Sequence, residues 1–287
     1  MPFQNVVELS HGKIFALQNE IELDGMVSAY PQSERGYSVS NCYLLRERTA
    51  AYLIDTGYGA HEQSILSQLA SIIEPDVPLT LIPTRINEFM SVGNGQAIAK
   101  VFNVVGSYAS QPNIADWLDF EAIDETTTRC EIPTTLLRGL LTLNVGHGGE
   151  REIDVFSAPL RLINTTWVYD PETRTLFSSD MFSHRSQPKS GGPWVIEADH
   201  ISDMSFVRSF LLNTRYWWLE GANTESLRRG IADVHERYEI EMIAPGYGGI
   251  FKGRELVDQQ FAILDQVLRE LDRSVVTPAY VPRGLER

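Results

Sequence analysis

Glu197, Asp199 and His200, in the run EADH, are side chains of the types that bind metals or move protons. They occupy nearly adjacent positions and no second cluster of this kind accompanies them. Capping or solvation of a helix beginning near Ser202 is therefore the better reading. His147 stands alone in GHGG, and one imidazole among glycines does not make a metal site. GNGQA (Gly93–Ala97) precedes a helix and could offer backbone N–H groups to an anion, but it lacks the Lys-Ser/Thr ending of a phosphate loop. There is no Gly-x-Ser-x-Gly elbow. Cys42 and Cys130 lie far apart, in no ligand-type spacing and without a neighbouring motif to activate a thiol. The residue types alone thus point to no nucleophile, phosphate loop or metal cluster.

The elements that would position any site are easier to read. Lys13–Leu17 is a short apolar strand. SVSNCYLL (Ser38–Leu45) and Ala50–Ile54 are β-branched and aromatic runs separated by the charged turn Arg46–Thr49, which predicts a hairpin. Glu62–Ile73 carries a helical stripe of Ile65, Leu66, Leu69, Ile72 and Ile73, ended by Pro75. A strand at Leu79–Pro83, a helix at Asn94–Phe102, a strand at Val104–Gly106 and a helix at Asn113–Phe120 follow. The second half repeats the style. It has a strand at Ile153–Phe156 and a hairpin of Thr166–Tyr169 and Thr175–Ser178 around Asp170-Pro171-Glu172-Thr173. Helices are predicted at Ser202–Thr214, Thr224–Arg237 and Arg254–Leu271, with Ser202 and Thr224 as N-caps, and a strand at Glu241–Ala244. Two such batches suit two β-rich sheets packed face to face with helices outside, although pattern alone does not select that layout.

Composition narrows the partners. A chain of 287 residues can bury a large core, and no linker or low-complexity stretch divides it, so a single domain over 1–287 is expected. The net charge of -14 excludes nucleic acid and anionic membrane as main partners, since both select basic surfaces. The sparse cysteines, the absence of a basic start with an apolar run, and the absence of a membrane-length apolar segment lead us to expect a cytoplasmic protein.

The order of short motifs adds a resemblance. YLIDTGYG (Tyr52–Gly59) is similar to the strand and turn that open the metallo-β-lactamase core, and LIPTRINEFM (Leu81–Met90) stands where that superfamily has T-H-x-H-x-D-H. SAPLRLINTTWVYDPETRTLFSSDMF (Ser157–Phe182) most resembles the matching segment of flavodiiron proteins, and IAPGYGGI (Ile243–Ile250) resembles the closing I-A-P-x-H-G. GKIFAL and SVSNCYLL match the flavodiiron style near the start. The resemblance spans the whole chain, without a counterpart of the flavodoxin domain, and implies a four-layer αββα metallo-β-lactamase-like sandwich of the α+β class.

Carried over residue by residue, the resemblance places Arg85 and Asn87 at the first two metal ligands, Phe89 and Met90 at the next two, Arg161 at the fourth-segment His, and Tyr247 at the final His. Only the bridging carboxylate is kept, as Asp180. His184 follows in FSHRSQP. A guanidinium has no lone pair to give a metal and stays protonated, and neither Phe nor Met replaces a hard ligand. No metal and no cofactor are therefore expected. Arg85 and Arg161 are expected to neutralise Asp180, or to leave one guanidinium free for a small anion with Asn87 and Tyr247 as further donors. The run Tyr216-Trp217-Trp218 is expected to pack in the core, with a homodimer interface as the sharper alternative. The expected function is that of a metallo-β-lactamase-fold protein lacking the dinuclear site, non-catalytic or holding a small anionic ligand in the cleft. The alternative is an enzyme, a flavodiiron-like oxidoreductase or hydrolase, with a repurposed or non-standard site built from Arg85, Arg161, Asp180, Tyr247 and His184.

Overall fold

The computed structural model describes residues 4–85, 88–111, 130–146, 151–161 and 163–277. The helix expected at Asn113–Phe120, and with it Asn87 and His147, lies outside the described residues. Two seven-stranded sheets form the body. The first runs in chain order through β1 (Gln4–Ser10), β2 (Ile14–Leu23), β3 (Gly36–Arg46), β4 (Ala51–Ile54), β5 (Leu79–Ile82), β6 (Val104–Ala109) and β7 (Thr134–Leu136). The second contains β8 (Leu141–Asn144), β9 (Glu152–Ser157), β10 (Thr166–Asp170), β11 (Thr175–Ser179), β12 (Val195–Ile196), β13 (Met242–Pro245) and β14 (Ile250–Lys252). Its order is β12-β14-β13-β11-β10-β9-β8.

Side-chain alternation explains the layering. Successive residues of a strand point to opposite faces. On β2, Ile14 and Ala16 join the core between the sheets, while Phe15 and Leu17 join the core under the helices. On β4, Tyr52 and Ile54 face inward while Ala51 and Leu53 face outward. Both faces are covered, so these strands read as continuous apolar runs rather than half-polar ones. The inner core joins Tyr43, Ile54 and Ile82 of the first sheet to Val168, Phe177 and Ala244 of the second.

Helices α1 (Glu62–Ala70) and α3 (Gly95–Val101) cover the outer face of the first sheet, through Ile65, Leu69 and Ile98. A single turn, α2 (Phe89–Val92), lies between them in sequence. Helices α4 (Met204–Leu212), α5 (Glu225–Arg237) and α6 (Arg254–Leu271) cover the second sheet, through Val207, Phe210, Ile231, Phe261 and Leu264. The result is the expected αββα sandwich. The predicted N-cap of α4 is corrected: Asp203, not Ser202, caps it by accepting from the Phe206 N–H. Ser202 is drawn away because its hydroxyl donates to Asp199. Thr224 does stand at the N-cap position of α5, but its hydroxyl donates to the Leu268 carbonyl instead of capping.

The topology decides where a site can form. β4 and β5 are parallel, and β11 and β13 are parallel. Their C-terminal ends bring the turns after Ile54, Ile82, Ser179 and Pro245 to one rim of the sandwich. Crevices beyond the carboxyl ends of parallel strands are the usual place for ligands in such sheets.

Candidate functional site

At this rim the two sheets are tied by polar bonds. The Thr166 N–H donates to the Thr84 carbonyl and the Asn41 N–H to the Gly246 carbonyl. Tyr43 donates to the Pro245 carbonyl at 2.6 Å, and Asn41 Nδ2 to those of Pro245 and Gly248 at 3.0 Å each. Gly246 lets the chains approach closely: a Cβ there would stand 2.1 Å from Met90 Cε and 3.2 Å from the Ser179 carbonyl oxygen, so the Met90 side chain would have to move. Asp55 and Ser179 both adopt positive φ, 61° and 55°, a conformation that costs most non-glycine residues energy. The strained backbone turns both side chains onto Thr84. Its N–H reaches Asp55 Oδ1 at 2.7 Å, and its hydroxyl lies 2.9 Å from both Asp55 Oδ2 and Ser179 Oγ.

Asp55 is 2% exposed. Burial pushes its carboxyl up to about 6, against the opposing pull of the Thr84 N–H, the Ser91 and Thr84 hydroxyls and the charge of Arg85. This carboxyl was not anticipated from sequence, although the Asp55-Thr56-Gly57 turn that carries it was read correctly.

Arg85 is the centre of the arrangement. It is 1% exposed, one of the largest fully buried side chains described. Its Nη1 lies 3.3 Å from Asp180 Oδ2, and its Nη2 donates to Glu88 Oε1 at 2.8 Å. A second guanidinium reaches the same glutamate: Arg215 Nη1 is 3.1 Å from Glu88 Oε1, and Nη2 donates to Oε2 at 3.3 Å. Tyr216 donates to Asp180 Oδ2 at 2.6 Å. Tyr247 is fully buried, and its hydroxyl shares a 2.8 Å bond with that of Tyr58. Burial raises the Tyr216 and Tyr247 phenols well above their ordinary range, so both are neutral hydrogen-bonding groups at physiological pH. For Arg215, burial opposes the charge, but the carboxylates of Glu88 and Asp180 favour it, and the guanidinium is held above its ordinary range.

The cluster therefore balances two guanidiniums against two carboxylates. The cavity lined by Asp180, Ser183, Arg215, Tyr216 and Tyr247 measures about 10 Å³, room for one water and not for an organic anion.

Of the residues singled out in the sequence, Arg85, Asp180 and Tyr247 meet here. Arg161 does not. It is exposed, and its Nη1 donates to the Ala158 carbonyl at 2.5 Å, within a loop closed by the Ala158 N–H on the Thr165 carbonyl. The local bond turns its side chain back onto its own loop, and Arg215 supplies the second positive charge instead. Arg161→Ala should accordingly change stability by less than about 0.5 kcal/mol in chemical denaturation.

His184 also stands apart from the carboxylate. Its ring packs against Phe206, Phe210 and Phe251, and Nε2 shares a 3.0 Å bond with Ser202. Of the run expected in the core, Tyr216 is buried and its hydroxyl holds Asp180, a role no motif signals, whereas Trp217 is 55% exposed. Glu88, Arg215 and Tyr58 were missed as well. The available signals were weak: Glu88 lies three residues after Arg85, and a second guanidinium near Asp180 would require a second anion.

Comparison with solved structures agrees with this architecture. The flavodiiron core Flv1 of Synechocystis sp. PCC6803 superposes with a TM-score of 0.66 at 16% identity, over 94% of this chain and 62% of that one. The rubredoxin oxygen:oxidoreductase of Desulfovibrio gigas gives 0.71 at 16% identity, over 93% and 62%. A 1–254 fragment of a diflavin flavoprotein A 5 from Nostoc sp. PCC 7120 gives 0.67 at 13% identity, over 94% and 98%. The chain has the metallo-β-lactamase-like fold of the flavodiiron cores. It spans less than two thirds of the length of the first two of these structures. No protein-family model and no curated protein matches the sequence.

A fold of this kind raises the question of a metal pair, and the donor set answers it poorly. Among the described residues, no three His, Cys, Asp or Glu side chains are grouped to hold an ion. Asp180 is engaged by Tyr216 and by the Arg85 charge, and Glu88 by two guanidiniums. A divalent ion here would meet fixed positive charges and a shortage of imidazole or carboxylate ligands. These residues do not fit a dinuclear centre.

Proposed function

We propose that this is a metal-independent, non-catalytic protein with a metallo-β-lactamase-like fold, whose rim is held shut by an arginine–carboxylate cluster. The supporting observation is the buried guanidinium of Arg85, placed between Asp180 and Glu88. In the flavodiiron resemblance, that position belongs to the first metal-binding His. A guanidinium there supplies a permanent positive charge where a metal-binding protein needs a neutral lone-pair donor.

The enzymatic alternative draws on Asp55, because a carboxyl raised to about 6 is suited to proton transfer near neutral pH. Asp55 is nevertheless sealed beneath Thr84 and Ser179, with no cavity large enough to bring a substrate to it among those lined by the cluster. Its perturbation follows from burial under the rim.

The reading is tested by thermal melts of purified protein with a chelator, and separately with iron, zinc or manganese. The melting temperature should be unchanged in every case. An ion that binds the folded state at micromolar affinity would raise it in proportion to the logarithm of its concentration, and such a rise would contradict the proposal.

A further inference from the structure

We infer that Arg85 and Arg215 form a carboxylate-binding site that the chain fills with its own Glu88, and that a small external carboxylate competes for it. The inference rests on the metal-independent reading above and extends it.

Three observations carry it. Both oxygens of Glu88 are used as a ligand's would be, with Oε1 between Arg85 Nη2 and Arg215 Nη1 and Oε2 on Arg215 Nη2. Two guanidiniums thus converge on one carboxylate, Arg85 donating to one of its oxygens and Arg215 to the other. The burial is graded. The Arg85 side chain is 1% exposed, that of Arg215 13% and that of Glu88 22%, so the carboxylate is the most accessible of the three. Finally, guanidinium donors are left over in the cluster, against one unpartnered acceptor, Asp180 Oδ1. Arg85 Nε and Nη1 and Arg215 Nη1 are buried without a hydrogen-bond partner of good geometry.

The charges define the ligand class. With Glu88 in place, the two guanidiniums face Glu88 and Asp180. When Glu88 swings out, the cluster carries one uncompensated positive charge that arginine cannot shed by deprotonation. A monoanion with two coplanar oxygens restores both the charge and an acceptor for each guanidinium. The cavity of about 10 Å³ beside Asp180, lined by Arg215 but not by Glu88, is too small for such a ligand, so an external carboxylate has to take the place of the Glu88 carboxylate. Glu88 thus acts as an internal competitor, present at the high effective concentration of a tethered group.

The test uses acetate, which has the heavy atoms that Glu88→Ala removes beyond Cβ. Melting temperatures are recorded in sodium acetate and in sodium chloride at equal ionic strength and pH 7. Glu88→Ala should show a saturable, acetate-specific rise that the double variant Glu88→Ala/Arg215→Ala lacks. Wild type should show the same rise, with its midpoint at about a hundredfold higher acetate. Equal responses to acetate and chloride in Glu88→Ala, or a double variant that responds like the single one, would overturn the inference. So would a wild type with no acetate-specific shift at a hundredfold the concentration that saturates Glu88→Ala. If Glu88→Ala does not fold, Glu88→Gln replaces it: its amide is an uncharged and weaker competitor, so its acetate midpoint should lie below that of wild type, and an equal midpoint would overturn the inference. Elemental analysis of the same samples separates the two claims: bound metal defeats the underlying reading, whereas metal-free protein blind to acetate defeats only this one.

Discussion

Arg85→Met should destabilise the protein by about 3–5 kcal/mol, the usual cost of removing one partner from a buried ion pair. The substitution leaves Asp180 buried with the Tyr216 hydroxyl as its hydrogen-bond donor and Oδ1 without any. It also takes from Glu88 the shorter of its guanidinium contacts. The loss comes mainly from the stranded charge. Arg85→Met/Asp180→Asn should therefore recover a large part of it, with a coupling of about 1–3 kcal/mol in a double-mutant cycle read by urea denaturation. A single-variant loss below about 1 kcal/mol, or additivity within error, would mean that the pair does not hold the rim together. The comparison with Arg161→Ala sharpens the point, because the two arginines have similar standing in the sequence and very different burial.

Acid titration should expose two buried groups working against each other. His184 is 3% exposed, and burial depresses its imidazole to about 4, with Arg185 adding to the effect and Asp199 and Gln260 opposing it. The folded value lies below the ordinary 6.5, so the associated stability is complete above that pH and is lost as pH falls through 4. A displacement of this size corresponds to about 3 kcal/mol. Asp55 has the opposite sign. Its folded value of about 6 lies above the ordinary 3.8, so the fold gains stability as pH falls through 6 toward 3.8, again by about 3 kcal/mol.

The windows overlap, and wild type should change little between pH 7 and pH 4.5. The variants separate the terms. His184→Gln should become more stable as pH falls across this range, and Asp55→Asn should become less stable, each by about 2–3 kcal/mol. Denaturation midpoints of the two variants moving in the same direction would refute the assignment.

How much of this could be read from the sequence depended on how local each signal was. The hairpin of β3 and β4, the hairpin of β10 and β11 and the whole of α6 were legible, because each is specified by its own period and its own turn or cap residues. The edge strand β1, QNVVELS, and the short β7, β8, β12 and β14 were not, because pairing and burial rather than pattern make them strands. The sheet layering followed from motif order rather than from periodicity.

At the site, three residues singled out by motif order, Arg85, Asp180 and Tyr247, come together. Motif order could not give the direction of a long side chain. Arg161 turned onto the Ala158 carbonyl, and His184 turned into an aromatic pocket beside Ser202. Arg215 and Glu88 escaped notice because neither occupies a motif position; only the charge requirement of a buried guanidinium brings them in. Whether the former cleft stays open was not legible either, because it depends on how long side chains pack; the cavity beside Asp180 measures about 10 Å³.

The most direct measurement is elemental analysis of the purified protein after growth with added iron, zinc and manganese, followed by a crystal structure with anomalous scattering recorded at each metal's absorption edge. The account predicts substoichiometric metal and no anomalous peak within bonding distance of Asp180, with the Arg85 guanidinium in its place. A stoichiometric transition metal coordinated by the Asp180 carboxylate would contradict it.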